Sequence, residues 1–216
     1  MRCIMLLLVC CLTAGLHAQF GLTAYANFHN VRHDFVAAEI DELVQLETGV
    51  ELAAHYWFRL PTKRVEFQPT VYYTATDNGE VDHNFDEFGF QFKTNFYLFD
   101  FGTDCDCPTF GKQGPNLQKG FFVQLAPGYA FYDYDTAARP DQPQSGFTAT
   151  AAVGIDFGLN NLLTITPIAG LRYGFAPFNE FELLDLNAQP VGTYQARLTT
   201  YQIGLQATFR LDKRRY

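Results

Sequence analysis

From Phe147 the odd positions run Phe147, Ala149, Ala151, Val153, Ile155, Phe157, while the even ones run Thr148, Thr150, Ala152, Gly154, Asp156, Gly158. A period of two with one apolar face is the signature of a β-strand. The pattern returns at the end of the chain. There Tyr201, Ile203, Leu205, Ala207, Phe209 and Leu211 alternate with Thr200, Gln202, Gly204, Gln206, Thr208 and Arg210. Around Phe88 the apolar set is Phe88, Phe90, Phe92, Phe96 and Leu98, against Gly89, Gln91, Lys93, Asn95 and Tyr97. The spacing predicts eight such strands, near residues 20–30, 46–59, 64–76, 86–101, 120–133, 146–158, 162–177 and 192–211. Seven are about 10–16 residues and the last about 20, against about 5–6 for an ordinary globular strand. That length suits a tilted strand crossing a bilayer. No segment shows a helical period.

Alternation alone does not say which face is inside. A soluble barrel buries its apolar face, and a membrane barrel turns that face to lipid. Three features favour the second arrangement. Glycines gather on the polar face (Gly21, Gly49, Gly89, Gly128, Gly154, Gly170, Gly174, Gly204), as a narrow lumen requires. The large aromatic residues are expected to face outward, because so narrow an interior cannot hold them all. The connections also alternate in length and charge. Residues 31–45, 77–87, 134–145 and 178–191 are long and acidic. The intervening connections include the short Arg59–Arg64 and Gly158–Asn161 and carry much of the basic charge. Short inner turns and long outer loops describe an outer-membrane barrel. Pro69, Pro127 and Pro167 lie within strands on the apolar face and predict bulges or bends.

Composition and the chain start agree with export. Met1-Arg2, an apolar run and "LHA" before Gln19 have the layout of a secretory signal peptide over residues 1–18, leaving 19–216 as one barrel domain. No later stretch reaches the length of a spanning apolar helix. The chain holds 22 Phe and 12 Tyr, and its net charge of −8 disfavours a nucleic-acid partner.

The polar face supplies the candidate site. Glu47, Glu51, His55, Glu66, Gln68, Lys93, Asn95, Gln124, Asp156, Arg172, Arg197, Gln202 and Gln206 are assigned to the lumen. Both charge signs are present, and buried charges must pair or hydrogen-bond. The set therefore reads as a structural network, and a proton or small-ion path is the sharper alternative. Catalytic and metal sites are not expected, nor is a cofactor. Ser145 is the only serine, and only His33-Asp34 in another outer connection could join it. His29 and His33 are four apart on a strand, where they do not converge as they would on a helix.

Cys105 and Cys107 lie in the one long inner connection, residues 102–120. A disulfide between them, a disulfide to a partner and free thiols all remain open. Zinc is the weakest reading, since the spacing is one residue and no histidine is near.

The last strand reads Gln202-Ile203-Gly204-Leu205-Gln206-Ala207-Thr208-Phe209. It resembles the C-terminal signal through which the barrel assembly machinery takes up its substrates, carried by Gln202, Gly204, Ala207 and Phe209. With "HAQ", "QLAPGYAFYDYD" and "TPIAGLRYGF" it makes the chain similar to the outer-membrane β-barrel proteins of Bacteroidetes-type bacteria, often labelled PorT-like. The resemblance implies an all-β fold, an eight-stranded antiparallel up-and-down transmembrane β-barrel in the outer membrane. It also implies contact with outer-membrane lipid and lipopolysaccharide, and with the assembly machinery during biogenesis. The expected role is non-enzymatic: structural, adhesive or secretion-accessory, with a periplasmic or surface protein as partner. The alternatives are a secreted lipocalin-like barrel holding an apolar ligand and a lipid-modifying membrane enzyme.

Overall fold

The computed structural model describes residues 19–34, 46–59, 64–78, 83–99, 119–136, 143–159, 163–184 and 190–210. The signal-like segment and the Cys105 and Cys107 connection lie outside the described residues. Ten strands form one antiparallel sheet. They are β1 (Gln19–Asp34), β2 (Thr48–Tyr56), β3 (Phe58–Arg59), β4 (Val65–Asn78), β5 (His83–Phe99), β6 (Lys119–Thr136), β7 (Gln144–Gly158), β8 (Leu163–Gly174), β9 (Asn179–Leu184) and β10 (Pro190–Arg210).

Neighbours follow the order β1-β2-β4-β5-β6-β7-β8-β10, and β10 pairs back to β1 from Gln19↔Arg210 to Asp34↔Gln195. The eight staves therefore close into a ring. β3 continues β2 in the same register against β4, since His55 pairs with Thr70 and Phe58 with Phe67. β9 continues β8 along β10. The result is a closed eight-stave antiparallel barrel with meander connectivity. The end that carries Gln19 and Arg210 is called the near end here, and the opposite one the far end.

β9 falls inside residues 178–191, where a connection was expected. Along β10, Thr199 pairs with Tyr173 and Ala196 with Asn179. Three residues of β10 thus oppose six of the partner, and the surplus is accommodated at 175–178. There Phe175 N–H donates to Phe147 O on β7 (3.0 Å), while Phe178 N–H donates to Ala196 O on β10 (2.9 Å). The excess length folds the Phe178 ring inward over the far mouth.

The three strand prolines do not make bulges. Each coincides with a lapse in one ladder, and the register is the same on both sides of the lapse. Pairing of β4 with β2 and β3 skips Pro69, that of β5 with β6 skips Pro127, and that of β7 with β8 skips Pro167. On its other side each proline stays in register, opposite Phe92, Ala149 and Leu205 respectively. Proline lacks one N–H, so one ladder loses its bond locally while the strand continues. The shifts in register lie elsewhere, at Tyr97/Phe99, Lys119/Phe121 and Pro190/Gly192.

Burial is inverted relative to a soluble barrel. The fully buried side chains include Glu51, Glu87, Lys93 and Arg172 together with rows of Thr, Asn and Gln. The exposed ones include Leu52 at 63%, Ile203 at 61%, Leu205 at 60% and Phe147 at 72%. The expectation that large aromatics all face outward fails. Tyr25, Tyr72, Phe85, Tyr97, Phe122, Tyr132 and Tyr194 are buried inside. Several fit because a glycine stands opposite them on the next strand: Gly204↔Tyr25, Gly89↔Tyr72 and Gly154↔Phe122. At each of these glycines a Cβ would come within 2.4 to 2.5 Å of the opposing ring. Gly21 opposes the ring of His55 in the same way. Lumen width therefore varies with what faces each ring.

Candidate functional site

The lumen is filled in three layers. The middle layer is built on Arg172 of β8, whose inward position follows from the alternation through Ile168, Gly170 and Gly174. Its Nη1 donates to Glu51 Oε2 on β2 and its Nη2 to Glu87 Oε2 on β5, both at 2.8 Å. One guanidinium thus ties three staves across the interior. The guanidinium also lies over the Tyr72 ring, 4.4 Å from its centroid, and the Tyr72 hydroxyl donates to Glu87 Oε1 at 2.7 Å. Glu51 Oε2 accepts from Asn27 (3.0 Å), Thr74 (3.1 Å) and Gln202 (2.9 Å) as well. Lys93 Nζ donates to the Tyr25 hydroxyl at 3.3 Å and sits 5.2 Å from that ring's centroid. Two carboxylates thus share this layer with two cations. Buried charges are costly unless paired and hydrogen-bonded: Arg172, Glu51 and Glu87 are both, and Lys93 is hydrogen-bonded to Tyr25.

Toward the near end, the Tyr97 hydroxyl lies 2.9 Å from both Glu66 Oε2 and Asp156 Oδ2. Thr166 donates to Asp156 Oδ1, and Gln124 donates to Asn95 at 2.7 Å. Tyr97 packs on Phe122 at 5.4 Å, so this layer is half polar and half aromatic. Toward the far end an apolar cluster closes the lumen. It comprises Leu46, Phe85, Ala130, Tyr132, Tyr134, Phe178, Tyr194, Ala196 and Leu198. His29 bridges the two regions, with Nε2 at 3.0 Å from Thr76 Oγ1 and Nδ1 at 3.2 Å from Thr200 Oγ1. His33 Nδ1 meets the Tyr194 hydroxyl at 2.5 Å.

Most of the residues assigned to the lumen lie there: Glu51, His55, Glu66, Gln68, Lys93, Asn95, Gln124, Asp156, Arg172, Gln202 and Gln206 are all buried. Two are not. Arg197 is half-buried and sits at an odd position of β10, where Gln195, Thr199, Tyr201 and Ile203 point outward. Its parity excludes it from the lumen. Glu47 is exposed because it precedes the first paired residue of β2, and the inward place at that mouth is taken by Leu46. The sequence reading missed Glu87, the second carboxylate on Arg172, by placing residues 77–87 in an outer connection. Its position two before Gly89 in the same alternation carries the signal.

Gln202 and Gly204 turn inward, and Ala207 and Phe209 outward. Ser145 is exposed on β7, with its hydroxyl 2.9 Å from that of Tyr129, while His33 turns inward on β1 against Tyr194. Nucleophile and base therefore do not meet. His29 and His33 each engage hydroxyls of different residues. Among the described residues, no group of three or more His, Cys, Asp or Glu is placed to hold a metal ion.

The chain matches no family model and no curated protein. Solved structures do resemble it. The crystal structure of a major outer membrane protein from Thermus thermophilus aligns with a TM-score of 0.51 and 11% identity over 89% of this chain and 99% of that one. The outer membrane protein OprG from Pseudomonas aeruginosa gives 0.48 and 13% over 89% and 96%, and Neisserial surface protein A gives 0.46 and 14% over 88% and 97%. The fold is that of an outer-membrane β-barrel. At these identities the likeness is one of fold.

Proposed function

We propose that the chain is a non-enzymatic barrel of a bacterial outer membrane, with a sealed lumen, acting through the segments that project from its two ends. The observation that carries this reading is the inversion: Arg172, Glu51 and Glu87 inside, Leu52, Ile203 and Leu205 outside. Exposed apolar surface on that scale is costly in water and favourable in lipid.

The outward aromatic residues support it. At the near end Phe20 stacks on Phe209 at 5.1 Å, and Tyr56, Phe58, Phe67 and Phe92 follow as a chain of contacts at 5.4 to 6.3 Å. Toward the far end Tyr129 meets Phe131 and Phe147 at 5.3 Å each, and Tyr173 meets Phe175 at 5.1 Å. Two aromatic bands flanking an apolar one are the pattern of a bilayer-spanning barrel. Between Phe20 and Phe28 on β1 the outward positions are Leu22, Ala24 and Ala26. Eight residues at about 3.3 Å each give about 26 Å along the strand, or about 20 Å in height at the usual tilt, against about 25 Å for such a band.

In this reading the near end faces the periplasm with both chain ends and the Cys105 and Cys107 connection. The far end, where β1, β9 and β10 extend past the apolar band, faces outward. The role is structural, adhesive or secretion-accessory, and the β10 strand with Gln202, Gly204, Ala207 and Phe209 is the segment offered to the barrel assembly machinery. A lipocalin-like carrier needs an apolar interior, which the polar middle layer opposes. A lipid-modifying enzyme needs a catalytic set, which Ser145 and His33 do not form.

Membrane fractionation with heat-modifiable gel mobility tests the reading. Recovery in membranes, with faster migration before boiling than after, is the expected result. Recovery in the soluble fraction overturns it.

A further inference from the structure

Where the middle layer of the lumen meets the near layer, a group of buried polar side chains is left unsatisfied by the side chains around it. Gln68 on β4 stands directly opposite Lys93 on β5, and both turn inward. Asn95 is the next inward residue after Lys93, and Gln124 on β6 stands opposite Asn95. Cross-strand neighbours on one face are about 5 Å apart at Cβ and diagonal ones about 7–8 Å. The four therefore form one patch on the inner wall of three adjacent staves.

Each of the four is buried, with an exposure of 1% or 2%. Among the described residues the Gln68 carboxamide has no partner at its nitrogen or at its oxygen. Gln124 Nε2 donates to Asn95 Oδ1 at 2.7 Å, which leaves Asn95 Nδ2 and Gln124 Oε1 without partners. Lys93 Nζ donates to the Tyr25 hydroxyl at 3.3 Å, and the ammonium carries further donors beyond that bond. Buried polar atoms without a partner are rare in native proteins, and where side chains do not serve them an ordered water does.

The free groups decide the chemistry of the ligand. The nitrogens of Gln68, Asn95 and Lys93 are donors, and the oxygens of Gln68 and Gln124 are acceptors. A ligand that serves both must donate and accept, as water does. An anion would serve the donors alone and is opposed by charge. Among the described residues the buried carboxyl groups of Glu51, Glu66, Glu87 and Asp156 outnumber the buried cations Arg172 and Lys93. Space is left on the β6 side, where Ala126 takes the register position facing Lys93 and brings in only a methyl group.

We propose that Gln68, Lys93, Asn95 and Gln124 form a binding site for a cluster of ordered waters, which ties the Lys93 ammonium to the near layer. At about three hydrogen bonds per buried water, about two or three waters meet the free groups. The site lies in the interior, so it does not rest on the membrane reading.

The test uses the purified full barrel in detergent micelles, isotope-labelled for NMR, with water itself as the probe. The side-chain amide protons of Gln68 and Asn95 are expected to show cross-relaxation with bound, slowly exchanging water. Urea midpoints of the wild type, Gln68→Leu, Lys93→Met and the double variant give the second readout. Gln68→Leu is expected to lower the midpoint, because it removes water-mediated bonds, whereas removing an amide with nothing to bond would raise it or leave it unchanged. In the Lys93→Met background that loss is expected to shrink by about half or more, since the two side chains act through shared waters. Absence of bound-water cross-relaxation in the wild type overturns the proposal, and so does a raised or unchanged midpoint in Gln68→Leu. A midpoint that rises when chloride replaces gluconate, and no longer does so in Gln68→Leu or Lys93→Met, also overturns it, because the site then takes an anion. If the variants do not fold, the NMR measurement on the wild type decides alone.

Discussion

Gly154 on β7 stands directly opposite Phe122 on β6, and the Phe122 ring fills the space that a side chain at 154 would need. A Cβ there would lie 2.4 Å from the ring's Cζ, and all three of its nearest neighbours belong to that ring. Phe122 is fully buried and also packs on Tyr97, so it has little room to retreat. Gly154→Ala is expected to destabilise the barrel by about 1–3 kcal/mol, the usual cost of overpacking. Phe122→Leu should relieve the clash at its own smaller cost, so the double variant is expected to be more stable than the sum of the two single changes implies. Urea unfolding of the four proteins in detergent micelles, followed by gel mobility, measures the cycle. Strict additivity would remove this account of the glycines.

Such glycine and ring pairs explain why the fold was readable and part of its interior was not. Alternation along β7 and β10 showed which residues share a face, and glycine on the polar face marked the inside. Alternation does not show which rings also turn inward, because that depends on the residue across the strand boundary: Gly89 for Tyr72, Gly204 for Tyr25. The middle layer was legible through Glu51, Lys93 and Arg172, whose parity was clear. Glu87 was lost because it was counted with the acidic connection 77–87, although the predicted strand 86–101 also contains it. Arg197 was misplaced because a charge on β10 was read by type and not by its odd position. β9 was missed because its partner register is shifted by the surplus at 175–178, which no periodicity records.

Arg172 stands between Glu51 and Glu87 and bonds both, in a buried site. Removing it leaves two carboxylates without their shared cation. Arg172→Met is expected to cost about 3–5 kcal/mol, as breaking a buried ion pair from one side does. Replacing the whole set, as Glu51→Gln, Glu87→Gln and Arg172→Met together, removes the stranded charge and should recover most of the loss. Unfolding midpoints in urea decide between this and a merely peripheral arginine, for which the single change would cost little and the triple change more.

Phe178 holds the far mouth through edge contacts with Phe85 at 5.4 Å and Tyr134 at 5.7 Å. It belongs to the extra residues between β8 and β9, and its own N–H is the first bond that carries β10 beyond β8. Phe178→Ala is expected to loosen β9 (Asn179–Leu184) while the staves below keep their pairing. Amide hydrogen exchange should rise in β9 and in the β10 residues facing it, Gly192 to Ala196, and stay unchanged across β4 to β7. A rise spread evenly over all staves would mean that the cluster supports the whole barrel and not its mouth.

The outward face gives the most direct contrast between a barrel in water and one in lipid. Leu52 is among the most exposed apolar residues of the chain, and its neighbours across the strands, Ala24 and Tyr73, also point outward. On a soluble protein an exposed Leu→Arg change away from any contact network is nearly neutral, within about 0.5 kcal/mol. At the middle of a bilayer the same change costs about 2–4 kcal/mol, falling to about 0–1 kcal/mol near the interface. Leu52 lies midway along β2, and Thr48 lies at its far-end start with the same outward parity. In phospholipid vesicles Leu52→Arg is therefore expected to cost several times more than Thr48→Arg. Equal and small costs at both positions would show that the apolar face meets water, and the membrane reading would fall with them.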